Sequence, residues 1–343
     1  MSVPEILKKI IHNEDITYND YYKTLSEIME GNVSEVLISS FLTALSLRPY
    51  EGDELAGLSR AMRKFALPIY IDKHPIIDTC GTGGDRKGTF NISTTTALVC
   101  AGAGIYVAKH GNRSATSSCG SADVLEHLGV VIDLPPDKVA NCIEEVGIGF
   151  LFARRFHPAM KSVAKIRSEL PFPTVFNLLG PLSNPVALDG QVIGVFSKNL
   201  LEPIAKALHR LGIQRGFVVW GNDGVDELTI SDKTDIIEIS NEGLKFYQVS
   251  PEDFGLSKQD IESIQGGTLE KNAEIVRNVL NGEKTPYRDA VLLNSVFGIL
   301  ASGKTSDWKE ALSIAQEAID SGRALSKLEN LVIKSHKFAK EIL

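Results

Sequence analysis

Residues 74–110, "HPIIDTCGTGGDRKGTFNISTTTALVCAGAGIYVAKH", carry the pattern that decides the fold. An apolar, β-rich run at 76–80 enters a loop with glycines at 81, 83, 84 and 88. A helix starting at Ser93 or Thr94 is predicted next, with the apolar body "TTALVCAGAG", and the strand "IYVA" closes a strand–helix–strand unit. The same grammar returns in "GQVIGVFS" followed by "LLEPIAKALHRLG", and in "RGFVVWG". Strand then helix, repeated, implies a mainly parallel sheet. Upstream, residues 3–66 read as helices, because Tyr21, Leu25, Ile28 and Met29 recur at helical spacing, as do Leu37, Phe41, Ala44 and Leu45. Gly31 and Asn32 separate two periodic segments, Pro49 stops the second, and Asp53 is the expected cap of a third that ends near Pro68. Downstream, the chain from about Leu269 is again mostly helical. The segment 156–185, "FHPAMKSVAKIRSELPFPTVFNLLGPLSNP", breaks the strand–helix alternation with five prolines and is expected to rejoin the helical part. The fold class read from this is α/β: a small helical amino-terminal domain (1–72, rejoined by about 160–188) and a larger α/β domain (73–159 and 189–343) with a mainly parallel central sheet.

Composition narrows the function classes. The chain has 343 residues, 43% of them hydrophobic and 23% charged, an ordinary composition for a compact fold. A net charge of −7 with no block of basic residues gives no electrostatic footprint for nucleic acid, so any phosphate must be held by a local pocket. The cysteines at 80, 100, 119 and 142 form no CxxC pair, which favours thiols in a reducing compartment over a structural zinc. No run approaches the roughly 18 apolar residues of a membrane span, and "MSVPEILKKIIHNED" lacks a cleavable apolar region. A cytoplasmic protein that binds neither membrane nor nucleic acid is expected.

The loops that follow the strands carry the chemistry. A helix start at Ser93 or Thr94 presents free N–H groups and a positive dipole end, and Gly81, Gly83 and Gly84 allow the close backbone approach an oxyanion needs. A glycine-rich turn with a serine cap would look the same, and the loop is neither GxGxxG nor GxxxxGK[ST]. Further on, "KHGNRSATSSCGSADVLEHLG" gathers Lys109, His110 and Arg113 with Ser117, Ser118 and Ser121, a set suited to a polyanion such as pyrophosphate. In "VVWGNDGVDELT", Asp226 and Glu227 stand just past a strand, where a pair of carboxylates suits magnesium shared with substrate phosphates.

Taken in order, "GTGGD", "TFNIST", "KHGNRSATSSCGSADVLEHLG", "FHPAMKSVAKIRSEL", "FNLLGPLSNP" and "VDELT" resemble the anthranilate phosphoribosyltransferase family over nearly the whole chain. The resemblance implies a hinge cleft between the two domains and a homodimer joined through the helical one. It implies transfer of 5-phosphoribosyl from phosphoribosyl pyrophosphate to the amine of anthranilate, with release of pyrophosphate, in tryptophan biosynthesis. The sugar donor would then be lined by Gly81, Gly84, Asp85, Thr89, Asn91, Ile92, Ser93, Thr94, Lys109, His110, Gly111, Asn112, Arg113, Ser114, Ala115, Thr116, Ser117 and Ser121. Mg2+ would be held by Ser93, Asp226 and Glu227, and anthranilate would meet Gly81, Asn112 and Arg167, with His110, His157 and Pro181 as walls. No general base is assigned, since an aromatic amine already offers its lone pair.

Two positions depart from the family pattern. After "GTGGD" the family commonly places another glycine, whereas Arg86 and Lys87 follow here, so the loop is expected to adopt positive φ less readily while gaining two cations. Cys119 sits inside a serine-rich turn, where a thiol donates poorly. The competing readings are a pyrimidine-nucleoside phosphorylase and a non-catalytic nucleic-acid-binding relative of the same fold. "KHGNR" argues against the first, and an acidic chain keeping both "KHGNR" and "VDELT" argues against the second.

Overall fold

The computed structural model describes residues 1–114 and 119–342. Four helices form the amino-terminal bundle: α1 (Val3–His12), α2 (Tyr18–Met29), α3 (Glu35–Ser46) and α4 (Gly52–Lys64). Local chemistry sets their starts. Ser2 with Glu5 and Thr17 with Asp20 form reciprocal capping boxes, and Ser34 accepts the Leu37 amide. The fourth helix begins at Gly52 after Glu51, so Asp53 stands inside the first turn instead of capping it. A side chain on Gly57 would run into the Tyr18 carbonyl, so the glycine lets α2 and α4 close on each other.

The α/β part continues as β1 (Ile76–Gly81), α5 (Ile92–Gly102), β2 (Tyr106–Gly111), α6 (Ser121–His127), α7 (Pro136–Val146), β3 (Ile148–Phe152), α8 (Ala153–Phe156), α9 (Lys161–Glu169), α10 (Phe176–Leu182), β4 (Gly190–Gly194), α11 (Leu201–Arg210), β5 (Arg215–Gly221), β6 (Thr234–Ser240) and β7 (Gly243–Val249). It ends in α12 (Leu269–Leu280), α13 (Pro286–Ala301), α14 (Trp308–Asp320) and α15 (Arg323–Lys340). The predicted start of α5 is late by one or two residues: the helix begins at Ile92, with Asn91 at the cap.

The seven strands lie in the order β3-β2-β1-β4-β5-β6-β7. The first five run parallel, and β6 and β7 add an antiparallel edge. The chain steps outward from β1 to β3, then returns to lay β4 on the other side of β1, with Gly81 opposite Gly194. That reversal opens a crevice beyond the carboxyl ends of β1 and β4, where open α/β sheets bind ligands. Behind it, α5 is buried on every side and packs on α13, α14 and α15, which explains its all-round apolar sequence.

The proline-rich segment contacts the bundle. Helix α9 packs on α2 and α3, with Lys165 3.2 Å from Glu35, while α10 packs on α4, where Arg63 Nε donates to the Leu182 carbonyl at 2.9 Å. Among the described residues no helix is long and apolar enough to cross a membrane.

Candidate active site

A cleft of about 800 Å³ lies at this crevice. The sugar-donor, acceptor and metal residues named from the sequence line it wherever they fall among the described residues. Ala115, Thr116 and Ser117 lie outside the described residues.

The glycine loop is pinned at both ends. On one side Thr82 N donates to the Gly194 carbonyl at 2.9 Å, and Thr82 Oγ1 accepts the Phe196 amide at 3.1 Å. On the other, Gln265 Nε2 donates to the Lys87 carbonyl at 2.9 Å and Gly266 N to the Gly88 carbonyl at 2.9 Å. Between these anchors Gly83 and Gly84 take φ of +68° and +87°, and Gly83 N donates to Asp226 Oδ2 at 2.6 Å. The close approach of the Asp226 turn demands glycine on both strands, because a Cβ at Gly81 would meet the Asp226 carboxylate and one at Gly194 the Asp226 carbonyl. Contrary to the expectation from sequence, Arg86 also adopts the left-handed region, at φ +57°.

Asp226 and Glu227 are held by the turn after β5. Asp223 fixes it by accepting the Thr229 hydroxyl at 2.5 Å, the Val225 amide at 3.3 Å and the Ser231 hydroxyl. Burial raises both carboxyls above their ordinary range; the negative charge of Asp85 adds to the shift of Asp226, and that of Asp226 to the shift of Glu227. Nearby, Asp85 Oδ2 is buried without a hydrogen-bond partner. Acidic oxygens crowded and underpaired in this way fit a divalent cation. Among the described residues no three of His, Cys, Asp and Glu close into a cage that could hold a metal alone.

Strand β2 supplies the second loop. Lys109 is 2% exposed and its Nζ donates to the Thr79 carbonyl at 2.8 Å, with Ser93 Oγ at 3.5 Å, so a buried cation stands under the first turn of α5. The Asn91 side chain makes no cap bond and instead donates its Nδ2 to the Cys119 carbonyl at 3.2 Å, while the Ile92 amide donates to the Phe90 carbonyl at 2.7 Å and the Ser93 amide to the Glu227 carboxylate, so the first turn of α5 is tied to the cleft walls. Arg113 is otherwise occupied: its guanidinium forks onto Glu126 at 2.8 and 3.0 Å and onto Asp123 at 2.9 Å. The other Asp123 oxygen accepts the Ser114 and Gly120 amides at 3.1 and 3.0 Å, tying the ends of this loop together.

The wall of the cleft facing these loops is built from α8 to α10. His110 Nδ1 lies 3.2 Å from the Gly180 carbonyl, an acceptor only, and the Nε2 atoms of His110 and His157 are 3.2 Å apart. Burial pulls His110 down to about 3 and His157 to about 4, so both are neutral near pH 7. The Arg167 guanidinium lies 5.0 Å from the centre of the Phe176 ring. Burial lowers its pKa from the ordinary arginine value, and no ion pair engages it among the described residues. Sequence reasoning missed Met62, Met160, Phe176 and Asn177, which complete this wall. Phe176 and Asn177 stand inside "FNLLGPLSNP", so a signal was present, but nothing local to Met62 separates it from other core positions of α4.

Comparison with known proteins agrees with this geometry. Residues 4–66 match the glycosyl transferase family helical bundle domain, and residues 73–325 match the glycosyl transferase family a/b domain. The chain is 47% identical over 336 residues to the anthranilate phosphoribosyltransferase of Rubrobacter xylanophilus, covering 98% of each. The crystal structure of anthranilate phosphoribosyltransferase from Thermus thermophilus superposes with a TM-score of 0.91 at 46% identity, covering 96% of this chain and 99% of that one. The Saccharomyces cerevisiae enzyme in complex with PRPP and Mg superposes with a TM-score of 0.90 at 31% identity, covering 98% of both. With this similarity along nearly its whole length, and a helical bundle joined to an α/β domain that opens a cleft at the switch point of its sheet, the chain belongs to the anthranilate phosphoribosyltransferase family.

Proposed function

We propose that the chain transfers the 5-phosphoribosyl group of phosphoribosyl pyrophosphate to the amine of anthranilate, releasing pyrophosphate, as a step of tryptophan biosynthesis. The observation that carries this reading is the meeting, at one sheet edge, of three loops: a glycine loop at a helix start, a buried lysine, and a carboxylate pair. Displacement at the anomeric carbon puts negative charge on the leaving diphosphate, so positioned donors contribute more than a strong base. The glycine loop, at the positive dipole end of α5, would hold the diphosphate oxygens, and Lys109 would place its charge beneath them. Asp226 and Glu227, with Ser93, would hold Mg2+, which when bound neutralises the charge growing on the leaving group.

Arg167 would take the anthranilate carboxylate as a forked partner and so aim the amine toward the sugar. The neutral His110 and His157 form its wall and place no second cation beside it. Residues 1–72 with 160–188 form the helical side of the cleft in this reading, supported by the packing of α9 and α10 on the bundle. A homodimer through the helical side is supported by the exposed apolar Ile11 and Val36 on the packed helices α1 and α3. Incubation with phosphoribosyl pyrophosphate, Mg2+ and anthranilate should extinguish anthranilate fluorescence. Fluorescence that persists with all three present refutes the assignment.

A further inference from the structure

Arg86 occupies the strained tip of the glycine loop. Its φ of +57° is one of two positive values at non-glycine residues in the described chain, and it falls between Gly84 at +87° and Gly88 at +68°. Left-handed backbone is unfavourable for a residue with a Cβ, and such strain persists where the surroundings over-determine it. Here the anchors of Thr82 on Gly194 and of Lys87 and Gly88 on Gln265 and Gly266 impose it. Despite that cost the side chain is exposed, lines the cleft, and makes no hydrogen bond or ion pair with any described residue.

The other cations of the cleft are committed or displaced. Lys109 is buried and bonded to the Thr79 carbonyl, and Arg113 is neutralised by Glu126 and Asp123. Arg154 follows the edge strand β3, two strands from β1, and Arg167 lies on the helical side above Phe176. Lys87 is turned away, its stem against the Gly224 turn, 3.0 Å from where a Cβ would stand, and it does not line the cleft. Arg86 therefore remains as the uncommitted cation beside the switch point, on the loop whose Gly83 amide bonds the Asp226 turn.

We infer that Arg86 is an anion-contact residue of this chain, gripping the diphosphate of the sugar donor from the glycine-loop tip. The assignment rests on the function proposed above and adds a specific cation to it. Binding of inorganic pyrophosphate with Mg2+, measured by calorimetry, and the two substrate KM values test it in the wild type, Arg86→Gly and Arg86→Ala. Wild-type protein should bind pyrophosphate; both variants should bind it about tenfold more weakly and raise the KM for the sugar donor as much, the scale of one charge-assisted hydrogen bond. The KM for anthranilate should stay within about twofold in both, as the acceptor carboxylate is met elsewhere. Pyrophosphate binding unchanged in both variants, or weakened only in Arg86→Gly, overturns the assignment, because the second pattern reports loop stiffness and not charge. Wild-type protein that takes up no pyrophosphate overturns the reading of the cleft, and the assignment of Arg86 falls with it.

Discussion

Arg167 stands on α9 with its guanidinium over Phe176, half withdrawn from water and free of any acidic partner among the described residues. An exposed arginine on an amphipathic helix would be hydrated or paired, so this placement suits a carboxylate that arrives from solution. Arg167→Ala should raise the KM for anthranilate by roughly 10- to 100-fold, the equivalent of about 1.5–3 kcal/mol, while the KM for the sugar donor changes less than about twofold. Steady-state kinetics with each substrate varied in turn check this, and equal effects on both substrates would contradict it. At this scale the sequence is unevenly legible. Most of the chemistry-bearing types stand out because they lie at or just past the carboxyl ends of strands, as Lys109 and His110 do at the end of β2, whereas Arg167 sits on α9. What spacing cannot tell is that Arg113 is held by Glu126 and Asp123, or that Arg86 bends into the left-handed region, since both depend on contacts made by distant chain.

At the scale of elements, α4 joins the bundle to the rest of the molecule, and it carries a buried carboxylate. Glu54 is wholly buried and faces Arg48 at 2.9 Å; burial pushes it up to about 7, with Arg48 opposing the shift. A carboxyl raised in the folded state binds its proton more tightly there than in the unfolded chain. Its contribution to stability is therefore full below the ordinary value of 4.5 and is lost as pH rises through about 7. Glu54→Gln removes this dependence, so relative to wild type the variant should gain stability between pH 5 and pH 8, by up to roughly 3 kcal/mol. Urea unfolding of both proteins at the two pH values measures it, and parallel pH profiles would contradict it.

Elements with strong periodicity or a glycine loop at their end are legible from sequence: α2 to α4, β1, α5, β2, β4, α11 and β5, with α1 read only as part of a helical stretch from residue 3. Strand β3 is not, because "IGFLF" is a short run buried on both faces, which alternation cannot identify. The antiparallel pair β6 and β7 has no helix between its strands to announce another strand–helix unit.

For the whole molecule, the order of strands decides where chemistry happens. Because β4 returns beside β1, the loops after β1, β2 and β5 converge, although residues 84, 109 and 227 are far apart in the chain. Sequence pattern indicates a mainly parallel sheet but not this order, which follows from packing the connecting helices on both faces. Association belongs to the same scale. Ile11 and Val36 are 73% and 74% exposed, and light scattering should give twice the chain mass of 37.3 kDa, falling to the monomer value in Val36→Glu. A wild-type protein that remains monomeric would contradict the proposed dimer.

In the proposed reaction these three loops hold a diphosphate together with a divalent cation, and a crystal structure with phosphoribosyl pyrophosphate and Mg2+ decides whether they do. The diphosphate should lie between the Gly84 loop and Lys109, with the cation on Asp226 and Glu227; a donor bound elsewhere, or a cation that leaves both carboxylates uncontacted, would refute it.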